Sequence, residues 1–213
     1  MMKKADLVQV IKILKQTYPD ATCSLDFTTP FEILVAVVLS AQCTDERVNK
    51  TTPALFASYS TPADFAAMPL ETLEEFIHPC GFYKTKAKNL KATDSILVEQ
   101  YNGVVPDDME TLVTLPGVGR KSANVIMLEA FHKPQGVAID THAKRICNRL
   151  GISSAAEPSK IEQDLLKKLP KEYYVDVNHL LVWHGRKTCM ARKPDCEHCT
   201  IRDFCKYDKK SHV

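Results

Sequence analysis

The sequence predicts an all-α protein built from about ten helices. Almost no stretch alternates apolar and polar residues with the period of two that a half-buried strand shows. Apolar residues instead recur every three or four positions, as in residues 3–18, where Leu7, Val10, Ile11 and Leu14 form one stripe. Helix start and stop signals punctuate the rest of the chain.

The clearest helix start signal lies at residues 29–32. Thr29 suits the N-cap, Pro30 suits the first helical position, and Glu32 stands in the capping-box position. The helix that this signal opens, over 31–42, is apolar almost all round. We therefore expect it to be the buried central helix of the fold.

The remaining helices are predicted from capping residues and apolar spacing. Thr61 caps one of them, and Asp140 caps another, which stops at Gly151. Ser159 and Glu162 form a second capping box, which opens a further helix. The predicted ranges are 45–57, 62–67, 70–78, 83–101, 109–114, 122–131, 141–150, 160–169 and 173–184.

Composition excludes disordered, fibrous and membrane-spanning proteins. Hydrophobic residues make up 45% of the 213 residues and charged residues 25%, as in ordinary globular domains. No run of about 18 apolar residues exists that could cross a bilayer. The chain begins with an amphipathic pattern that includes Lys3 and Lys4, and not with the apolar block of a signal peptide. These features favour a cytoplasmic protein.

Charge is distributed unevenly along the chain. The net charge of +2 is too small to indicate a nucleic-acid partner by itself. Residues 61–80, however, carry only acidic charges, whereas four lysines follow over 84–91 and the chain from His184 onward is rich in Arg and Lys. Such runs are usually solvated faces. Two basic faces favour nucleic acid only together with an element that binds phosphate.

Residues 115–124 supply such an element. They read Leu-Pro-Gly-Val-Gly-Arg-Lys-Ser-Ala-Asn, a tight turn followed by a helix. We expect Gly117 and Gly119 to take positive φ and to bring bare backbone close to another molecule. The N–H groups at the helix start, with Arg120 and Lys121, would attract a phosphate. The simpler interpretation is a corner between two helices with an incidental basic pair.

Four of the eight cysteines crowd the C-terminal part of the chain. Cys189, Cys196, Cys199 and Cys205 have six, two and five residues between them, and without a secretion signal this favours a metal over disulfides. Thiolates bind either zinc or an iron–sulfur cluster. Zinc modules usually contain two separated Cys-x-x-Cys pairs, and this chain contains one. The other four cysteines are expected to be small buried apolar residues.

The hairpin and the cysteine spacing resemble the endonuclease III branch of the helix-hairpin-helix DNA glycosylase superfamily, over residues 31–205. The resemblance implies a six-helix barrel domain over 22–133, with the helix-hairpin-helix motif at 109–131. It also implies an iron–sulfur domain from 1–21 and 134–213, with a groove between the two lobes. The four C-terminal cysteines would hold a [4Fe–4S] cluster. That cluster would fix a loop whose Arg192 and Lys193 face DNA phosphates.

The resemblance also implies a catalytic pair. Lys121 matches the family lysine that attacks C1′ of a damaged nucleotide, expels the base and forms a Schiff base before β-elimination. Asp140 matches the family aspartate that helps activate this nucleophile. Without the resemblance, Lys121 would be a phosphate contact and Asp140 an ordinary N-cap.

Further residues match family positions that enter the DNA. A base inside a duplex must be flipped out before an enzyme can reach it. By resemblance, Gln42 fills the resulting gap, Phe82 is the intercalating wedge where leucine is common, and Asp45 lines the base pocket. Gln42 could otherwise simply end a core helix.

These matches predict a bifunctional DNA glycosylase and abasic-site lyase for oxidised pyrimidines. Its partner would be double-stranded DNA with a damaged pyrimidine or an abasic site, and we expect a nucleoid-associated monomer with no membrane partner. A monofunctional adenine glycosylase of the same fold is one alternative, although those enzymes lack the lysine and usually carry an extra C-terminal domain. A non-catalytic DNA-binding module is another, which the co-occurrence of Lys121 and Asp140 disfavours.

Overall fold

The computed structural model describes residues 1–207 and confirms the all-α prediction. Within that range there are eleven α-helices, two short 3-10 helices (Lys171–Tyr173 and Arg202–Phe204) and no strand. The α-helices are α1 (Lys4–Thr17), α2 (Pro30–Ser40), α3 (Asp45–Ser58), α4 (Pro62–Ala67), α5 (Leu70–Ile77), α6 (Tyr83–Tyr101), α7 (Met109–Leu112), α8 (Arg120–Phe131), α9 (Thr141–Leu150), α10 (Pro158–Leu166) and α11 (Tyr174–Lys187). None of these helices is both long enough and apolar enough to cross a membrane.

Helix ends agree with the sequence where a local cap decides them. Thr61 and Asp64 form a complete capping box at α4, and Gly151 ends α9 with φ of 71°. At α2 the expected box is shifted. Thr29 Oγ1 accepts from the Glu32 amide, but the Glu32 carboxylate accepts from the amide of Thr28 (2.6 Å), one residue before the N-cap.

The capping box expected at Ser159 and Glu162 is wrong. The helix α10 begins at Pro158, because Glu157 is the N-cap and a proline at the first position is already shaped for a helix. The Glu162 carboxylate is buried and accepts a hydrogen bond from the amide of Val137 at 3.2 Å. The Glu162 carboxylate therefore bonds to a residue outside α10 and does not cap its own helix.

One compact unit spans Cys23–Lys133 and contains α2 to α8. Its centre is α2, which packs against α3, α6 and α8. Residues 33–39 of α2 are at most 5% exposed, which confirms the prediction of a buried central helix. Each fully buried aliphatic side chain stabilises the unit by about 1.5–3 kcal/mol relative to an exposed one.

The other unit combines Met1–Thr22 with the chain from Pro134 onward. The apolar stripe of α1 is fully buried and packs in one cluster with α9, α10 and α11. Gly185 allows α11 to approach α9 closely, because a Cβ at this position would lie 2.8 Å from the Cβ of His142. The first helix of the chain thus depends on partners that follow more than a hundred residues later.

Candidate nucleic-acid interface and cluster site

The turn between α7 and α8 is anchored to the core of its unit. Leu115 and Val118 are buried, and the amide of Val118 donates to the carbonyl of Leu115 at 3.0 Å. The hydroxyl of Thr93 on α6 donates to the carbonyl of Pro116 at 2.9 Å. The turn is therefore a rigid support for the N-terminus of α8.

The two glycines of this turn have different functions. Gly117 has φ of 81°, and a Cβ there would lie 3.1 Å from Nδ2 of Asn89, so both conformation and packing require glycine. The expectation of positive φ at Gly119 is wrong, because Gly119 has φ of −86° and serves as the N-cap of α8. A Cβ at Gly119 would meet no atom of residues 1–207 within 4 Å. Gly119 thus leaves open space in front of the helix.

The N-terminus of α8 has the features of an anion site. No side chain in the described part of the chain caps it, and its first turn contains no acidic residue. The helix begins at Arg120, two residues earlier than predicted, so Arg120 and Lys121 occupy its first two positions with exposed side chains. Backbone N–H groups at such an end attract anions together with the helix dipole.

Asp140 is the N-cap of α9, as predicted. Its Oδ1 accepts from the amide of Ala143 at 2.7 Å. The preceding residues 137–139 are buried, whereas Asp140 itself is half-buried. The carboxylate is thus fixed in direction while part of it remains accessible to solvent.

Gln42 and Phe82 lie on two turns that touch. Both residues are exposed, and both are non-glycine residues in the left-handed region, with φ of 53° and 58°. A Cβ on Gly81 would lie 3.6 Å from the carbonyl oxygen of Gln42. Strained backbone of this kind persists only where its surroundings enforce it, and it clusters at ligand sites. Phe82 is 66% exposed, which is unusual for so large an apolar side chain.

Asp45 is the first residue of α3 and lies next to the turn of Gln42. Its Oδ2 accepts a hydrogen bond from the hydroxyl of Ser24, and Thr44 caps the helix through the amide of Arg47. Asp45 is half-buried. This environment holds the carboxylate in one orientation at the helix start.

The lysines over 84–91 do not form one solvated face. Lys84 and Lys88 are exposed, whereas Lys86 is 5% exposed and donates from Nζ to the carbonyl of Leu39 at 2.7 Å. Lys91 donates to three backbone carbonyls at the end of α4. The expectation of a basic face is therefore wrong for half of the run. A periodic pattern cannot reveal this, because a long lysine side chain can turn inward along apolar surface.

The four C-terminal cysteines line one cavity of about 400 Å³, a volume that includes space open to solvent. Apolar side chains such as Ile146, Leu150 and Ile201 complete its wall. No group of three or more His, Cys, Asp or Glu within residues 1–207 converges on a point suited to a single metal ion. Four cysteine side chains around one cavity are a ligand set that iron–sulfur clusters use.

A buried histidine borders this cavity. His184 Nε2 lies 3.8 Å from Sγ of Cys199, and its Nδ1 lies 3.1 Å from the hydroxyl of Tyr18. Burial, assisted by the nearby Arg145 guanidinium, lowers the pKa of His184 to about 4. Sequence reasoning missed Tyr18 and His184, because 166 positions separate them.

Arg149 of α9 was also missed, and it holds the loop after Cys189. Its guanidinium donates to the carbonyls of Met190 (2.9 Å) and Ala191 (3.2 Å) and to Sγ of Cys189 (3.1 Å). Arg192 and Lys193 follow directly in the same loop with exposed side chains. The tether leaves these two cations on the surface beside the cysteine cavity.

Comparison with known proteins matches both parts of the chain. A family described as HhH-GPD superfamily base excision DNA repair protein matches residues 35–171, and the iron–sulfur binding domain of endonuclease III matches residues 189–205. Endonuclease III of Synechocystis sp. is 47% identical over 203 residues, which cover 95% of this chain and 93% of that protein. Endonuclease III of Escherichia coli K12 is 44% identical over 212 residues, covering 100% of both chains.

A solved structure gives the same result. A trapped endonuclease III–DNA covalent intermediate has a TM-score of 0.94 and 42% identity, and the alignment covers 100% of both chains. The fold, the hairpin and the cysteine cavity thus define a helix-hairpin-helix protein of base excision DNA repair. The chain belongs to the endonuclease III family. It is a bifunctional DNA glycosylase and abasic-site lyase, and its cofactor is a [4Fe–4S] cluster.

Proposed function

We propose that Lys121 is the nucleophile of this enzyme and that Asp140 assists it. The observation that carries the proposal is the position of Lys121 on the exposed, uncapped first turn of α8, directly after the anchored hairpin. The relative of known structure was captured in a covalent bond to DNA. An amine is the group that forms such a reducible bond with the sugar of a damaged nucleotide.

The reaction proceeds in balanced steps. The amine of Lys121 attacks C1′, the C1′–N bond breaks, and the base leaves with a proton. Opening of the sugar ring gives an iminium ion between Lys121 and C1′. Loss of a proton from C2′ then expels the 3′ phosphate, and water releases the unsaturated aldehyde from Lys121. Asp140 stabilises the positive charge on the sugar and helps to deprotonate the attacking amine.

The partner is double-stranded DNA with a damaged pyrimidine or an abasic site. In our proposal the backbone at Gly117 and Gly119 and the side chain of Arg120 contact phosphates. Support comes from the open space at Gly119 and from the uncapped amides of α8. Arg192 and Lys193 add phosphate contacts from the loop that Arg149 holds.

A second set of residues acts inside the duplex. Gln42 fills the gap left by the flipped nucleotide, and Phe82 is inserted as a wedge. Their touching turns, left-handed backbone and exposure support these roles. An aromatic ring can stack on bases of any sequence. Asp45, fixed by Ser24, lines the pocket for the flipped base.

The cluster is a structural cofactor in this proposal. Cys189, Cys196, Cys199 and Cys205 hold it, because these four side chains line one cavity. When bound, it supplies four metal–thiolate bonds that cross-link the C-terminal part of the chain. We also propose that Cys23–Lys133 acts as the six-helix barrel domain and that the other unit acts as the iron–sulfur domain. The location that fits this function is the bacterial cytoplasm, at the nucleoid.

Borohydride trapping tests the nucleophile. Reduction of the iminium ion should fix the wild-type protein to abasic duplex DNA, and Lys121→Gln should bind the duplex without trapping or strand cleavage. Lys50→Gln is the matched control, since Lys50 is an exposed lysine of the same unit, paired with Glu46. If Lys121→Gln still released the base from a duplex with an oxidised pyrimidine at the wild-type rate, a water nucleophile and the monofunctional alternative would hold. A wild-type protein that bound but never trapped would be a binding module.

A further inference from the structure

The C-terminus of α2 is completed by a residue from another helix. The last four carbonyls of a helix lack partners within it, so each needs one from elsewhere. The hydroxyl of Ser40 donates to Val37, the amide of Ala41 donates to Val38, and the amide of Cys43 donates to Ser40. The remaining carbonyl, that of Leu39, accepts from Nζ of Lys86 at 2.7 Å.

Lys86 is buried at this point. It is 5% exposed, and the thiols of Cys43 and Cys80 are its neighbours. Burial lowers the pKa of Lys86, and the two thiol groups partly oppose that shift. A cation at a helix C-terminus is favoured by the helix dipole. Burying an ammonium ion is nevertheless costly without a compensating bond, so this arrangement requires the contact with Leu39.

The same residue is bonded to the turn of Phe82. Lys86 lies in the first turn of α6, and its backbone amide donates to the carbonyl of Phe82 at 3.1 Å. Its side chain holds Leu39, three positions before Gln42. The amide bond is the first regular bond of α6, so the link specific to lysine is that of its ammonium, which joins the first turn of α6, directly after Phe82, to the end of α2, three residues before Gln42.

We propose that Lys86 is a positioning residue for entry into the DNA duplex, which sets the spacing between the gap-filling Gln42 and the wedge Phe82. This inference rests on the proposed function of those two side chains. Lys86 touches neither substrate nor reacting atoms. It acts through the end of α2 and the start of α6, whose relative placement decides whether both side chains enter the same base step.

The contribution of Lys86 is confined to duplex substrates. An abasic site in a single strand offers the same C1′ to Lys121 but has no opposite strand and no gap to fill. Loss of the Leu39 contact should therefore slow the reaction on a duplex and leave the single-strand reaction unchanged. A merely structural role would lower both rates by the same factor.

The test compares Lys86→Met with wild type on thymine-glycol duplex, abasic duplex and abasic single strand, for the folded protein with its cluster. We expect the duplex to single-strand rate ratio to fall about 10- to 100-fold, since a misplacement of about 1 Å costs on the order of 10²-fold. Binding of wild type should raise the fluorescence of a 2-aminopurine placed opposite the lesion. Binding of Lys86→Met should not raise it. This signal requires no chemistry, so it tests the positioning even if Lys121 is not the nucleophile.

Lys91→Met is the matched control, because Lys91 also donates to carbonyls at a helix end but at α4, away from both turns. It should lower the melting temperature and keep the rate ratio and the fluorescence signal. If Lys86→Met does not fold, Lys86→Gln replaces it, because this variant also removes the buried charge. The same fall in the duplex to single-strand rate ratio is expected. An unchanged ratio in the folded Lys86 variant, or an equal fall in Lys91→Met, overturns the proposal. Failure of the wild type to trap on either abasic substrate overturns the proposed nucleophile instead.

Discussion

Single residues of this chain combine a structural and a proposed chemical role, and Asp140 is the clearest case. Its Oδ1 caps α9 through the amide of Ala143. The same carboxylate is proposed to stabilise positive charge on the sugar. The two roles use different properties of the side chain, because a cap needs only an acceptor whereas the reaction needs a negative charge.

Substitutions at Asp140 should separate these roles. Asparagine is as good an N-cap as aspartate, so Asp140→Asn should change the free energy of unfolding by only a few tenths of a kcal/mol while lowering turnover about 10²–10⁴-fold. Asp140→Ala should lose the cap as well, at about 1 kcal/mol. Urea denaturation and single-turnover kinetics measure both effects. Equal stability of the two variants would show that the cap is unimportant.

Asp94 on α6 should make stability depend on pH. Its side chain is fully buried, neither carboxylate oxygen has a hydrogen-bond partner within residues 1–207, and burial raises its pKa from 3.8 to about 8. Between these pKa values the folded state holds a proton that the unfolded state has lost. Stability from this group is therefore present below pH 4 and decreases as pH rises, by about 1.4 kcal/mol per unit up to about pH 8.

Asp94→Asn should remove this slope. Urea denaturation at pH 5, 6, 7 and 8 measures it, and the difference between wild type and variant should widen steadily with pH. Asp107→Asn is a suitable control, since the exposed Asp107 is paired with Lys133 and its pKa is lowered. Parallel pH profiles for wild type and Asp94→Asn would mean that Asp94 is ionised in the folded protein.

At the scale of the helix, substitutions at the two glycines before α8 should affect different properties: stability at Gly117 and DNA binding at Gly119. Gly117→Ala forces a Cβ into positive φ and against Asn89, which should destabilise the fold by about 1–2 kcal/mol. Gly119→Glu should fold normally, because a Cβ there meets no atom of the described residues within 4 Å. It should nevertheless weaken binding to every duplex alike, because a carboxylate in front of α8 repels phosphate.

Calorimetry and fluorescence-anisotropy titrations at several salt concentrations measure these effects. The affinity of the wild type for duplex DNA should decrease as the salt concentration rises. The affinity of Gly119→Glu should decrease less steeply, because this variant makes fewer phosphate contacts. Tight binding of Gly119→Glu to abasic duplex at the wild-type salt dependence would place the phosphate contact elsewhere.

The elements also show what a sequence can and cannot predict. The bounds of α6 and α9 were predicted correctly, because local apolar spacing and glycine or asparagine stops decide them. The start of α10 was not, because Glu162 bonds to Val137 instead of its own helix. Lys86 and Lys91 were misinterpreted for the same reason. Their partners belong to other helices, and no local pattern encodes them.

Across the whole molecule, the cofactor is expected to determine whether the unit that contains it folds. The four cysteines line one cavity, so loss of the cluster removes the bonds that cross-link this part of the chain. Purified protein should be yellow-brown, with broad absorption near roughly 400 nm from iron–sulfur charge transfer. Cys199→Ser should reduce the soluble yield more than it alters chemistry in the surviving protein.

Metal analysis with absorption spectroscopy checks this prediction, and Cys23→Ser is the control because Cys23 belongs to the other unit. A colourless protein prepared anaerobically, with stoichiometric zinc and no iron, would contradict it.

The packing of α1 against α9–α11 has a consequence for synthesis on the ribosome. Residues of Cys23–Lys133 meet their own partners as soon as that stretch has emerged, whereas α1 leaves the exit tunnel well before its partners α9–α11. At about 5–20 residues per second, α1 waits on the order of 10 s with its apolar stripe uncovered. The nascent chain therefore exposes the apolar stripe of α1 until α9–α11 have emerged, and the cysteine cavity is complete only once Cys205 has emerged.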